Sequence, residues 1–209
     1  MNLTYDDETH AYQLDGRPVP SVTEIVSIIT ARKYSETNPA MMAQAQRRGT
    51  EVHELCEMID YGVEPEELDV PPELVGYVNA YLTFLRDYVP EWEYAEKMVS
   101  TLEYAGRVDR IGIINGRRTI VDIKTTAQMD KLSRLALLFQ LYFYKDAVTF
   151  TTELPVKSLM GVQLKKDGTY TVRDASKILE KDLPHHDVYS VMEHLLELQT
   201  IIGGYKQNV

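Results

Sequence analysis

The sequence predicts an α/β fold in which a mixed central β-sheet is flanked by helices, and three observations carry that expectation. Two β-rich runs, residues 108–114 and 117–124, are joined by Asn115-Gly116, a strong two-residue hairpin signal because both turn positions need positive φ. Both faces of these runs are apolar (Val108, Ile111, Ile113, Ile120, Val121, Ile123), so the hairpin is central and covered. Residues 133–148 form a helical run that is apolar nearly all round, as expected of a helix buried against a sheet. The helical and strand-like runs follow in the order ααβββαβα, which fits such a sheet.

Taken along the chain, residues 3–5 and 11–14 read as a short hairpin, with Asp15-Gly16 as turn and Pro18-Val19-Pro20 as exit. Ser21 and Glu24 make a capping box that opens a helix over 24–29. A helical stretch over 39–61 is expected to break or bend at Gly49. The Pro- and acid-rich segment 62–72 reads as an exposed loop. Pro72 then suits the start of a helix with Leu74, Val75, Val78, Tyr81, Leu82 and Leu85 on one face. Residues 92–104 read as a strand leading into the central hairpin. Residues 156–164 and 169–172 form a second hairpin about Asp167-Gly168, and 186–202 a closing amphipathic helix stopped by Gly203-Gly204.

Composition narrows the class. At 209 residues, 44% hydrophobic and 26% charged, the chain is expected to be one globular domain with a real core. No apolar run approaches ~20 residues, so no membrane span is expected. With no secretory signal at the N-terminus, the expected location is cytoplasmic. The single cysteine, Cys56, excludes an intramolecular disulfide and a four-cysteine iron–sulfur cluster. No GxxxxGK[ST] run is present, so ATP-driven work would need another chain. The net charge of −10 opposes a nucleic-acid partner. The acids are concentrated, however, over 57–73, while Arg47, Arg48, Arg107 and Arg110 lie in segments that could line an approach to the hairpin.

Chemistry gathers on that hairpin. With a two-residue loop, Ile114 pairs with Arg117, and the register carried outward sets Asp109 opposite Asp122, Cβ atoms about 5 Å apart. Like charges so placed destabilise a sheet unless something binds between them, and a divalent cation is the natural candidate. Lys124 shares the face of Asp122. It could orient or deprotonate an attacking water and stabilise charge on a pentavalent phosphorane.

Asp109 followed by Asp122-Ile123-Lys124 resembles the bipartite motif of the PD-(D/E)XK nuclease superfamily, in particular its RecB-like and phage-type exonuclease branch. Gly49-Thr50-Glu51-Val52-His53 resembles that branch's GxxxH helix. Ala105-Gly106-Arg107-Val108-Asp109 resembles its lead into the first catalytic strand, and Gln140-Leu141-Tyr142-Phe143-Tyr144 its QxxxY helix. The motifs occur in the family's order, with Val108 where the motif name has proline. The resemblance implies a restriction-endonuclease-like core and a single nuclease domain over 1–209. Its parts would be a lead-in over 1–30, a catalytic core over 40–175 and the closing helix over 185–204. It also implies one or two Mg²⁺ or Mn²⁺ ions held by His53, Asp109, Asp122 and the Ile123 carbonyl. Imidazole favours Mn²⁺ of the two. Lys124 would be catalytic, with Gln140 and Tyr144 touching its strand or the DNA backbone. By itself, His53 would sit on the apolar helix face of Val52, Leu55 and Ile59. Glu57 could order it or be a solvated charge, and either Glu96 or Glu103 could support the metal.

The activity so implied is metal-dependent exonucleolytic cleavage of DNA in phage recombination or repair. A homo-oligomer, or a recombination or helicase partner, would supply the clamp that a small chain lacks. The rival reading is a nuclease-like DNA-binding or recombination-partner module with little or no cleavage.

Overall fold

The computed structural model describes residues 2–6, 9, 11–35 and 37–205. The chain begins with a three-stranded antiparallel sheet of β1 (Leu3–Asp6), β2 (Ala11–Leu14) and β3 (Arg17–Val19). Asp15 and Gly16, both with positive φ, turn β2 into β3. The expected exit segment is thus a third strand. Pro18 is tolerated opposite Gln13 because β3 is an edge strand that need not donate outward.

The capping box forms: Ser21 N–H donates to Glu24 Oε2 at 2.7 Å, and Glu24 N–H donates to Ser21 Oγ at 3.0 Å. Helix α1 (Val22–Ser35) continues past the expected residue 29. Helix α2 (Pro39–Asp60), capped by Asn38, runs unbroken through Gly49. One interior glycine costs only about 1 kcal/mol, which packing overrides. Pro65–Glu67 makes a single 3-10 turn, and α3 (Val75–Tyr88) starts after Pro72 rather than at it.

The central sheet has five strands in sequence order: β4 (Glu91–Ser100), β5 (Ala105–Ile114), β6 (Arg117–Lys124), β7 (Ser158–Leu164) and β8 (Tyr170–Asp174). Neighbours are antiparallel except β6 and β7. That parallel pair needs a long crossover, supplied by α4 (Lys131–Thr152). The region read as one strand over 92–104 is β4 plus a turn closed by Thr101 N–H donating to the Tyr104 carbonyl. Helix α5 (Ala175–Asp182), capped by Asp174, was not foreseen, because eight residues give too short a periodic signal. The closing helix is α6 (Val188–Ile202). No helix among the described residues is long and apolar enough to cross a membrane.

Two cores fill the two faces of the central sheet. On one, Ile111, Ile120 and Val108 meet α1 and α4 through Val22, Ile25, Leu138, Leu141 and Phe143. On the other, Val121, Ile123 and Val162 meet α2 and α3 through Val52, Cys56, Tyr81 and Phe84. Gly106 shows how tightly α4 lies on β5. A Cβ there would come within 2.7 Å of Tyr144 Cε1 and 3.2 Å of Val22 Cγ2. Gly106→Ala is therefore expected to destabilise by about 1–3 kcal/mol through overpacking. Urea unfolding checks this, and an unchanged midpoint would refute it.

Candidate active site

The hairpin register is the one Asn115-Gly116 dictates, from Ile114 opposite Arg117 to Arg110 opposite Val121. Regular pairing then stops. On the other side of β5, β4 pairs at Ala95–Arg110 and again at Lys97–Val108, leaving Glu96 and Asp109 between the paired positions. Glu96 holds the left-handed conformation, with φ of +48°. Val108 and Ile111 both enter the α1/α4 core, although strict alternation sends residues three apart to opposite faces. The alternation therefore slips at Asp109.

That slip changes the expected facing pair. Asp109 Oδ2 accepts the Ile123 backbone N–H at 2.6 Å and lies 3.7 Å from His53 Nδ1 on α2. Asp122 stays on the α4 side with Lys124 and Gln140. The two carboxylates still repel, but each has its own positive neighbour.

His53, Glu96 and Asp109 form the tight group, with one donor atom from each all within 4.8 Å of one another. The His53 ring is oriented by its far nitrogen, since Nε2 lies 3.1 Å from the Ile123 carbonyl, which can only accept. Nδ1 is thus turned toward Asp109 and toward Glu96 Oε1, 3.8 Å away. Burial alone would lower the His53 pKa, but the Asp109 and Glu96 carboxylates override it and raise it to about 9. The group demands a positive charge.

Asp122 makes the same demand. Burial pushes its pKa up to about 6 against the opposing pull of Lys124, and Asp109 adds to the rise. Its Oδ2 is buried and lies 2.9 Å from Lys124 Nζ, but without hydrogen-bond geometry, so it remains an orphaned acceptor. An imidazole nitrogen with two carboxylates fits a divalent Mg²⁺- or Mn²⁺-type ion.

Of the four groups expected to hold metal, His53 and Asp109 come together. The Ile123 carbonyl is engaged by His53, and Asp122 by Lys124. Glu96 joins the group, while Glu103 sits exposed in the turn after β4. The only sequence signal for Glu96 was an acid on the strand before the hairpin. The irregularity at Asp109 hid its alignment. Glu57 lines the adjacent groove and makes no hydrogen bond to His53.

Lys124 Nζ donates to Asp122 Oδ1 at 3.2 Å and to Gln140 Oε1 at 3.0 Å, and Gln140 Nε2 donates to Tyr144 OH at 3.4 Å. Gln140 thus reaches the lysine strand, and Tyr144 is tied to it only through Gln140. Burial opposes the Lys124 charge, yet Asp122 and Asp109 outweigh it and raise its pKa.

Arg110 corrects the expectation of a basic approach. It is fully buried, bonded to Asp60 at the end of α2, to Glu96 Oε1 at 3.1 Å and to the Asp109 carbonyl at 2.6 Å. Tyr81 OH and Trp92 Nε1 also donate to Asp60. This buried ion pair, on the α2/α3 side of the sheet, tethers both Glu96 and Asp109 from behind. Arg48 is half-buried with its guanidinium 5.9 Å from the Tyr77 ring centre, while Arg47 is exposed. A groove of about 710 Å³ opens over the site, lined by Gly49, His53, Glu54, Glu57, Glu96 and Arg107. Gly49 is not required by packing, since a Cβ there would meet only Thr125 Oγ1 at 3.8 Å.

A hairpin whose acids sit at its irregular end, a lysine two residues on, and a helical glutamine holding that lysine define a nuclease core. The chain belongs to the PD-(D/E)XK nuclease superfamily, whose sequence model matches residues 29–205. Among solved structures it is similar to SSO0001, with a TM-score of 0.40 and 15% identity over 91% of this chain and 79% of that one. It is also similar to an alkaline exonuclease from Laribacter hongkongensis, with a TM-score of 0.36 and 10% identity over 89% of this chain and 93% of that one. The complex of that exonuclease with dAMP aligns with a TM-score of 0.35 and 11% identity, over the same shares of the two chains. No curated protein sequence matches significantly.

Proposed function

We propose that this chain is a Mg²⁺- or Mn²⁺-dependent deoxyribonuclease of the RecB-like, phage-type exonuclease branch, a single cytoplasmic domain acting in phage recombination or DNA repair. The observation that carries the reading is the His53–Glu96–Asp109 group standing beside the Asp122–Lys124–Gln140 chain at one end of the hairpin. An ion held by His53 Nδ1, Glu96 and Asp109 would supply Lewis acidity and a bound water of lowered pKa. The Ile123 N–H and carbonyl fix Asp109 and the imidazole in place. Gln140 and Asp122 hold the Lys124 ammonium where negative charge grows on the phosphoryl group. Arg110 braces Glu96 from inside the sheet.

If these residues hold a cation in the native state only, it will stabilise the fold. At one hundred times its dissociation constant the gain is about 2.7 kcal/mol, a melting-temperature rise of roughly 5–10 °C for a domain of this size. Thermal melts with Mn²⁺, Mg²⁺ or EDTA measure it, and identical curves would remove the metal site. End-directed action is tested by comparing end-labelled linear DNA with a covalently closed circle under the same ions. Degradation of the linear form alone, abolished by EDTA, is the expected result. Nicking of the circle at a like rate would establish endonuclease action instead. DNA binding without any cleavage would favour the rival binding module.

A further inference from the structure

We infer that Arg107, held on the ring of Tyr5 from the N-terminal sheet, takes a phosphate next to the scissile one on the nucleic-acid strand in the groove. This rests on the nuclease reading above and assigns to it a substrate-positioning residue. The groove is acidic: Glu54, Glu57 and Glu96 line it, and Arg107 is the one arginine or lysine among its described lining residues. A cation held with His53 would offset the Glu96 and Asp109 carboxylates, but Glu54 and Glu57 would still repel a phosphodiester. Something must offset them, and Arg107 is the group in place.

Three features fit it to that task. Among the described residues Arg107 has no carboxylate or hydrogen-bond partner, so its five N–H donors are open to a ligand. Its guanidinium carbon lies 4.8 Å from the Tyr5 ring centre, a cation–π contact that fixes the flat face and leaves the edges free for a bidentate phosphate. It stands two residues before Asp109 on β5, about 7 Å along a strand, comparable with the step from one phosphate to the next. Tyr5 is in turn braced by Tyr12, ring centres 4.7 Å apart, over a small core of Tyr12, Leu14, Val19 and Ala105. This sheet lies outside the matched family segment, which begins at residue 29. Of the arginines expected at the approach, the structure singles out this one.

The test is steady-state cleavage of a labelled oligonucleotide in Mn²⁺ across a salt series, with thermal melts as the folding control. Arg107→Ala is expected to lower kcat/KM on the order of tenfold, with the loss in KM rather than kcat. It should also flatten the slope of log(kcat/KM) against log[salt] by about 0.7–0.9, one phosphate contact. Arg107→Lys keeps the slope but not the full affinity, and Tyr5→Leu weakens KM a few-fold without changing the slope. Arg107→Gln serves if the alanine variant melts early. Wild-type slope and KM in both neutral variants, or a loss confined to kcat, would overturn the inference while leaving the nuclease reading intact. A wild-type chain with no Mn²⁺-dependent cleavage would overturn both.

Discussion

Lys124→Ala and Asp122→Asn are each expected to reduce metal-dependent cleavage by on the order of 10²-fold or more, the cost seen when a preorganised charge is removed from a transition state. Lys124 is held by two acceptors and kept charged by Asp122 and Asp109, so removing it deletes a fixed cation and leaves the Asp122 carboxylate buried without its nearest counter-charge. Asp122→Asn instead leaves Lys124 with Gln140 but withdraws the orphaned carboxylate oxygen. The two should differ in metal response. Excess Mn²⁺ is expected to restore part of the Asp122→Asn activity and none of the Lys124→Ala activity. Cleavage rates over a Mn²⁺ titration decide it. Full activity in both variants, or equal activity in EDTA and Mn²⁺, would contradict the chemistry proposed here.

The largest expected loss of stability is at Asp60, the last residue of α2. Asp60→Ala would take from the fully buried Arg110 guanidinium its buried counter-charge, leaving only Glu96 and the Asp109 carbonyl, and would leave the Tyr81 hydroxyl and Trp92 indole N–H without their acceptor. Breaking a buried pair by removing one partner costs about 3–5 kcal/mol, so the melting temperature should fall by roughly 6–20 °C. Asp60→Asn retains an acceptor and should cost less. Because Arg110 also holds Glu96, the alanine variant should bind Mn²⁺ more weakly even where it is folded. A melt within 2 °C of the parent would show that the pair is dispensable.

The hairpin shows where local reading succeeds and where it stops. Asn115-Gly116 permits one turn geometry, and that turn sets every pair out to Arg110 and Val121, so the register is legible from two residues. The capping box at Ser21 and the crossover helix over the apolar run were legible for the same reason, since their causes lie within a few residues. The third strand at Pro18 and the continuity of α2 through Gly49 were not, because in each a neighbouring element outweighs the local preference, and α5 was not because eight residues give too short a periodic signal.

At the active site the division is sharper. Strand alternation put Asp122 and Lys124 on one face, and the hairpin register drew Asp109 to the same end. His53 was joined to them only by the resemblance of Gly49–His53 to a family motif, since helix periodicity alone places it on an apolar face. Tertiary structure alone decided how they divide. The slip of alternation at Asp109 depends on β4, whose left-handed Glu96 disrupts pairing on the far side of β5. It depends also on Arg110, drawn to the opposite face by Asp60 from a helix that ends fifty residues earlier in the chain. A buried charge goes where its counter-charge waits, and the position of that counter-charge is set by packing between layers, which no stretch of the sequence near Asp109 encodes.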